Sequence, residues 1–167
     1  AGTVDCHFHV FEDSNTYPYT TNRSYTPSLA PWAAFERMNN AIGADRAVLV
    51  HPSVYGYDHR TLYDTLRAHP DRLRAVGVLA ADTPEAEIER LHQAGTRGAR
   101  VNILFAGGNQ LSDAEELAKR IKPFGWHIQF LVDVTAQPQI PSWASTLGVP
   151  VVFDHFGHPS TPDVNHV

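Results

Sequence analysis

Apolar and polar positions change period repeatedly along this chain. The stretches "TVDCHF", "RAVLVHP", "LRAVGVLA", "ARVNIL", "HIQFLVD" and "PVVFDH" are short runs rich in Val, Ile, Leu and Phe, as expected of buried strands. Between them the apolar residues fall at helical spacing. "PWAAFERMNNAIG" places Phe35, Met38 and Ile42 on one face and Gly43 at its end. "DHRTLYDTLRAHP" reads as a helix with Asp58 as N-cap. "TPEAEIERLHQAG" has Thr83 as N-cap, Pro84 at the first helical position and Gly95 past the end. "LSDAEELAKRIKPFG" and "PQIPSWASTLG" complete the helices, and a Tyr/Pro/Ser/Thr-rich loop runs from Glu12 to Pro31. Strict alternation of strand and helix predicts a parallel sheet with helical crossovers, an α/β architecture.

The polar residues at the strand ends choose between an open sheet and a barrel. An open doubly wound sheet would carry a glycine-rich phosphate turn after its first strand. Here that strand ends in "HFH", and "FAGGN" (residues 105–109) has no such pattern. Polar side chains gather instead at successive C-terminal ends: His7 and His9, His51 and Ser53, Arg100 and Asn102, Gln129 and Asp133, Asp154 and His155. Active sites of (β/α)8 TIM barrels are built there. A closed barrel needs eight strands and about 250 residues. Residues 1–167 are therefore expected to form a single partial barrel domain covering about the first six βα units, with strands seven and eight missing and the tail from Phe156 as a loop. Completion by another chain is the less favoured alternative.

Composition narrows the partners. The chain is 43% hydrophobic and carries a net charge of −5, without a basic run that would track phosphates, so nucleic acid is not an expected partner. No apolar run reaches the roughly 20 residues of a membrane span. Cys6 is the one cysteine, which excludes an intrachain disulfide and suggests a cytoplasmic setting. A homo-oligomer is compatible with this composition.

His7 and His9 lie two apart, so a strand aims both imidazoles at one spot. They read as metal ligands, as a metal-free polar clamp, or as an incidental strand end. Cys6, between Asp5 and His7, faces the opposite way. The guanidinium of Arg100 suits a carboxylate held through two hydrogen bonds. Of the adjacent pair Asp154 and His155 only one should enter the barrel. His155 is the expected one, with Asp154 against a helix.

The blocks "DCHFHVF", "RAVLVHPSVYGYDHRTL", "RGARVN", "GWHIQFLVD" and "VVFDHFGHP" together resemble the amidohydrolase superfamily, in its amidohydrolase-related branch of lactone hydrolases, which includes enzymes acting on pyrone dicarboxylates, sulfomuconolactones and sugar-acid lactones. The resemblance implies a hydrolase acting on an ester bond, with His7, His9 and His155 polarising the substrate carbonyl. It places Ser53 and Tyr55 in a loop bordering the pocket, matches Arg100 to a carboxylate-binding position, and implies an aspartate after an eighth strand that activates water. Asn102 and Gln129 join the candidate substrate contacts.

Metal-using relatives hold one face of an ion with the HxH pair and add a histidine at the end of strand five. Here "HIQFLVD" begins with His127 and ends with Asp133, so no cofactor is expected. One Zn2+ on His7 and His9, with Asp133 or His155 as further donors, is the alternative. His51 stands where Gln is expected, "LFAGGN" lacks a second arginine, and Leu131 stands where a Tyr is expected. These departures favour a mono-carboxylated or hydroxylated, sugar-acid-like lactone. A zinc-dependent decarboxylase, an amide hydrolase and an inactive truncated barrel are the alternatives.

Overall fold

A computed structural model describes residues 2–107 and 109–159. Strands β1 (Val4–Phe8), β2 (Arg46–Val50), β3 (Leu73–Val78), β4 (Thr96–Asn102), β5 (His127–Leu131) and β6 (Val151–Phe153) form one sheet, paired in sequence order and parallel throughout. Helices α1 (Trp32–Ile42), α2 (Arg60–Ala68), α3 (Glu85–Ala94), α4 (Ala114–Ile121) and α5 (Ile140–Ala144) supply the crossovers.

The two faces of the sheet differ in chemistry, as a period of two dictates. Ala47, Leu49, Leu73, Ala75, Ala99, Val101, Ile128 and Phe130 join Leu62, Leu66, Ile88, Leu91, Leu117 and Ile121 of the helices in one buried cluster. Arg100, Asn102 and Gln129 occupy the alternate positions, and the register sets Arg100 directly beside Gln129. The sheet curls around this polar face. Five strand spacings would hold β1 and β6 roughly 24 Å apart in a flat sheet, yet His7 Nδ1 of β1 lies 3.6 Å from Oδ1 of Asp154, the residue after β6. This is a partial TIM barrel, six strands in a curled half-barrel.

Several local expectations shift. On α1, Phe35 stacks on Phe8 at 3.6 Å and Asn39 is buried, whereas Met38 and Ile42 are 49% and 65% exposed. Helix α1 covers β1, which pairs only with β2 among the described residues, so only a narrow stripe of the helix is buried. Asp58 lies one residue before the N-cap position of α2, where its carboxylate accepts from the Arg60 N–H at 3.1 Å. Pro84 takes the N-cap position of α3, and Thr83 makes no side-chain cap. Gly43 and Gly95 end their helices with positive φ, as expected. Of the predicted tail, residues 160–167 lie outside the described residues.

The long loop after β1 is pinned to the turn after β2. The Thr20 N–H donates to the Val54 carbonyl at 2.8 Å, and the Glu12 N–H donates to the Tyr55 hydroxyl at 3.0 Å.

Trp126 is fully buried between sheet and helices, donating its indole N–H to Nδ1 of His92 at 2.9 Å. Trp126→Ala is expected to lower the unfolding free energy by about 3–5 kcal/mol through cavity formation. Met38→Ser should stay within about 0.5 kcal/mol. Urea titration of both variants checks this pair.

Candidate active site

Strand ends and one strained turn assemble the site. His7 and His9 leave β1 on its polar side, with ring centroids 5.1 Å apart. His9 Nδ1 lies 2.7 Å from the Val50 carbonyl at the end of β2. A carbonyl oxygen can only accept, so Nδ1 carries the proton and Nε2 keeps its lone pair. Burial first, then the charges of Arg100 and His7, lower the His9 pKa to about 4 against the opposing pull of the Val50 hydrogen bond. The ring is neutral at pH 7.

After β6 the chain departs from the alternation of a strand. His155, Phe156 and His158 have φ of 50°, 57° and 47°, a left-handed conformation unusual outside glycine and typical of functional turns. Asp154 follows the alternation of β6 onto the polar face, two residues after Val152, the register partner of Gln129, and the turn brings His155 there as well, which corrects the expectation that Asp154 would lie against a helix. The side-by-side rule holds only while the strand continues, and β6 ends at Phe153.

Asp154 is the centre of the cluster. Its Oδ2 accepts from Arg100 Nη2 at 2.7 Å, with the two side chains only 3% and 4% exposed. Its Oδ1 accepts from the Gln129 amide and faces His7 Nδ1 at 3.6 Å. Burial alone would raise its pKa, but the neighbouring His7, the hydrogen bond from Gln129 and the Arg100 charge hold it at about 2. The rings of His7 and His155 lie 5.1 Å apart. His7 Nε2, Arg100 Nε and Gln129 Oε1 are buried without hydrogen-bond partners. These atoms belong to one polar cluster, which is where a ligand would complete their bonding.

A cleft of about 200 Å3 opens beside the cluster, lined by His9, Tyr25, Pro52, Ser53, Arg100, Asn102, Phe105, Leu131, His155 and His158. Of the residues singled out from the sequence, His9, Ser53, Arg100, Asn102 and His155 reach it, and His7 packs against His155 behind it. Two others serve at a distance. The Tyr55 ring is buried against His51 and its hydroxyl anchors the Glu12 N–H, so it braces the loop and does not line the cleft. Gln129 lies beneath the cleft and holds Asp154.

Asn102 lines the cleft, but its side-chain oxygen accepts from the Leu104 and Phe105 N–H groups at 3.0 Å each. His51 faces the helical layer, fully buried beside His59 and Tyr55. Asp133 receives the Thr135 and Ala136 N–H groups in a turn. Cys6 is exposed. Asn109 was missed: buried, it donates to the Leu79 and Arg100 carbonyls and accepts from the Asn102 N–H, fixing the end of β4. Only its position in a loop bearing two glycines hinted at a structural task.

His7, Asp154 and His155 each offer a ligand atom within 4.8 Å of the others. Of the conditional pair His7 and His9, this set contains His7. Two imidazoles and a carboxylate are donor types that suit Zn2+. Both oxygens of the carboxylate are already engaged, one by a guanidinium, so an incoming dication would meet the repulsion of a fixed positive charge on the same carboxylate.

The family profile described as "Amidohydrolase" matches residues 4–167. The chain is 32% identical over 161 residues to a 2-pyrone-4,6-dicarboxylate hydrolase of Comamonas testosteroni, covering 95% of this chain and 53% of that protein. It is 29% identical over 164 residues to a 4-sulfomuconolactone hydrolase of Hydrogenophaga intermedia, covering 95% and 54%. Among solved structures, a Pseudomonas putida protein provisionally described as a 2-pyrone-4,6-dicarboxylic acid hydrolase superimposes with a TM-score of 0.81 at 31% identity, over 95% of this chain and 59% of that one. The chain spans about half the length of the curated relatives it matches. No helix among the described residues is long and apolar enough to cross a membrane.

The buried histidines make stability depend on pH. His9 titrates near 6.5 when unfolded and near 4 when folded, so the unfolded chain takes up the proton first. The stability linked to neutral His9 is complete above pH 6.5 and is lost as pH falls toward 4, by on the order of 3 kcal/mol. His51, lowered by burial in the same direction, adds to the loss as pH falls. Urea unfolding across this range is expected to show the loss, and His9→Asn to flatten it.

Proposed function

Because the chain belongs to the amidohydrolase family, and relatives it matches are named as hydrolases of a pyrone dicarboxylate and a sulfomuconolactone, we propose that the protein opens a lactone bearing a carboxylate by attack of water on the ring carbonyl. The observation that carries this reading is the cluster in which Asp154 orients His7 while His7 Nε2 and Arg100 Nε remain without partners. Water adds to the carbonyl carbon, the ring C–O bond breaks, and the former ring oxygen leaves with a proton as a hydroxyl.

The residues divide this work. Asp154, ionised at about 2, favours a proton on His7 Nδ1 and offsets the charge of an imidazolium there. The Nε2–H of that imidazolium then donates to the developing oxyanion, with His155 beside it. His9 takes a different part from the donor role first expected. With its Nδ1–H fixed on Val50, its Nε2 accepts a hydrogen bond from the attacking water. The unpartnered Nε–H of Arg100 receives the substrate carboxylate. Asp154 already offsets the charge of Arg100, which favours one carboxylate over two.

His7→Asn is expected to lower kcat about 100-fold or more on an opened lactone, as loss of an oxyanion donor does. A panel of unsaturated and sugar-acid lactones checks the reaction class, and failure to open any of them sinks it.

The ligand distances among His7, Asp154 and His155 favour a second reading, in which these residues hold Zn2+. A bound ion would polarise the carbonyl as a Lewis acid. The Arg100–Asp154 pair argues for the metal-free form. Hydrolysis is therefore expected to survive a chelator, and stoichiometric zinc with activity lost on chelation would reverse that order.

A further inference from the structure

We infer that Tyr25 and Phe105 form a preassembled aromatic wall that makes this cleft select a planar, unsaturated ring carrying one carboxylate over a saturated, polyhydroxylated one. The inference rests on the lactone reading of the cleft and adds which ring the cleft prefers.

The two rings come from loops far apart in sequence and meet edge to face, with centroids 6.0 Å apart and planes at 76°. Both line the cleft and remain 38% and 42% exposed. Packing against each other does not use up their surface. Pro52 and Leu131 extend the apolar side, while His9, His155 and Arg100 provide the polar groups. The cleft thus has an apolar wall and a polar part, and the ligand that matches it has a flat apolar ring with its polar groups at one edge. Aromatic faces and edges favour such rings through stacked or edge-to-face contact.

A ring bearing hydroxyls around its whole circumference would need partners along the wall as well. Among the polar side chains of the cleft, the Asn102 oxygen is already spent on the Leu104 and Phe105 N–H groups. The same bonds fix the backbone of Phe105.

The wall is held together on both flanks. Next to Phe105, the Ala106 N–H donates to the hydroxyl of Ser24 at 2.8 Å, and Ser24 adjoins Tyr25. Gly107 follows at φ +92°, where an added Cβ would stand 2.3 Å from the Ser53 carbonyl oxygen and 2.9 Å from that of Asn22. Only glycine permits this three-loop contact. The rings are therefore placed before a ligand arrives, which limits the ordering lost on binding.

The test is equilibrium binding by calorimetry on the full chain, with pyridine-2-carboxylate as the planar probe and cyclohexanecarboxylate as its saturated counterpart. The planar probe should bind several-fold more tightly. Phe105→Leu and Tyr25→Leu should each weaken it about three- to tenfold while changing the saturated probe less than twofold, as loss of one aromatic contact predicts. Phe105→Trp should keep the preference, which separates an aromatic contact from a filled volume. Equal affinity for the two probes, no measurable binding of either, or variants that weaken both alike or neither would each overturn the wall. Kinetics on an unsaturated and a sugar-acid lactone separate the two levels of the argument. Hydrolysis without a planar preference removes the wall alone. A planar preference with no lactone opened removes the hydrolase reading and leaves the wall.

Discussion

The pair formed by Arg100 and Asp154 fixes more of this molecule than any other contact. It crosses from β4 to the residue after β6, passing β5, inside the curl of the sheet. Two charges this deeply buried carry a desolvation penalty that their attraction offsets only when the remaining polar atoms are also satisfied. Gln129 from β5 and His7 from β1 do this for the carboxylate. Side chains from three strands therefore converge on the carboxylate that follows a fourth, and β1 arrives there because the sheet is curled. The apolar layer between sheet and helices supplies cohesion without direction. The direction comes from this polar cluster, which specifies how far the strands bend toward one another.

The same pair contributes to the electrostatics of the cleft. Burial lowers the His9 pKa and the Arg100 charge adds to it, while hydrogen bonding and then the Arg100 charge lower that of Asp154, so one is neutral and the other ionised at pH 7. In both histidines Nδ1 faces an oxygen acceptor, the Val50 carbonyl for His9 and the Asp154 carboxylate for His7. Each ring is oriented by its own partner, a backbone carbonyl in one case and a buried carboxylate in the other.

Much of the architecture was legible in the sequence because it depends on period. The strand runs, the helical crossovers and the gathering of polar residues at strand ends all follow from alternation, and the HxH pair and Arg100 were found that way. What escaped depends on where regular structure stops. Asp154 and His155 were assigned to opposite faces by a rule valid inside a strand, and the left-handed turn beginning at His155 cancels it. Met38 and Ile42 have helical spacing, but how much of a helix is covered depends on its neighbours, which no local pattern encodes. Tyr55 and Asn102 carried plausible substrate chemistry, yet both spend hydrogen bonds on the backbone of loops. Asn109 does likewise, and a polar side chain that serves the backbone leaves no spacing signature.

These two kinds of position also divide the functional burden. The groups suited to carbonyl chemistry, His7, Arg100 and Asp154, sit on or directly after strands, where the sheet holds them rigidly and register sets their spacing. The groups that shape the ligand, Tyr25 and Phe105, sit on loops, and their positions depend on contacts among the loops, notably Ser24 to Ala106 and Gly107 to Ser53. The wall is held by contacts between loops, the ion pair by contacts between strand ends. A barrel organised this way can change its ligand through the loops and keep its chemistry at the strand ends. That separation is why the proposed reaction class rests on a handful of strand-end residues, whereas the proposed ring is read from the loops.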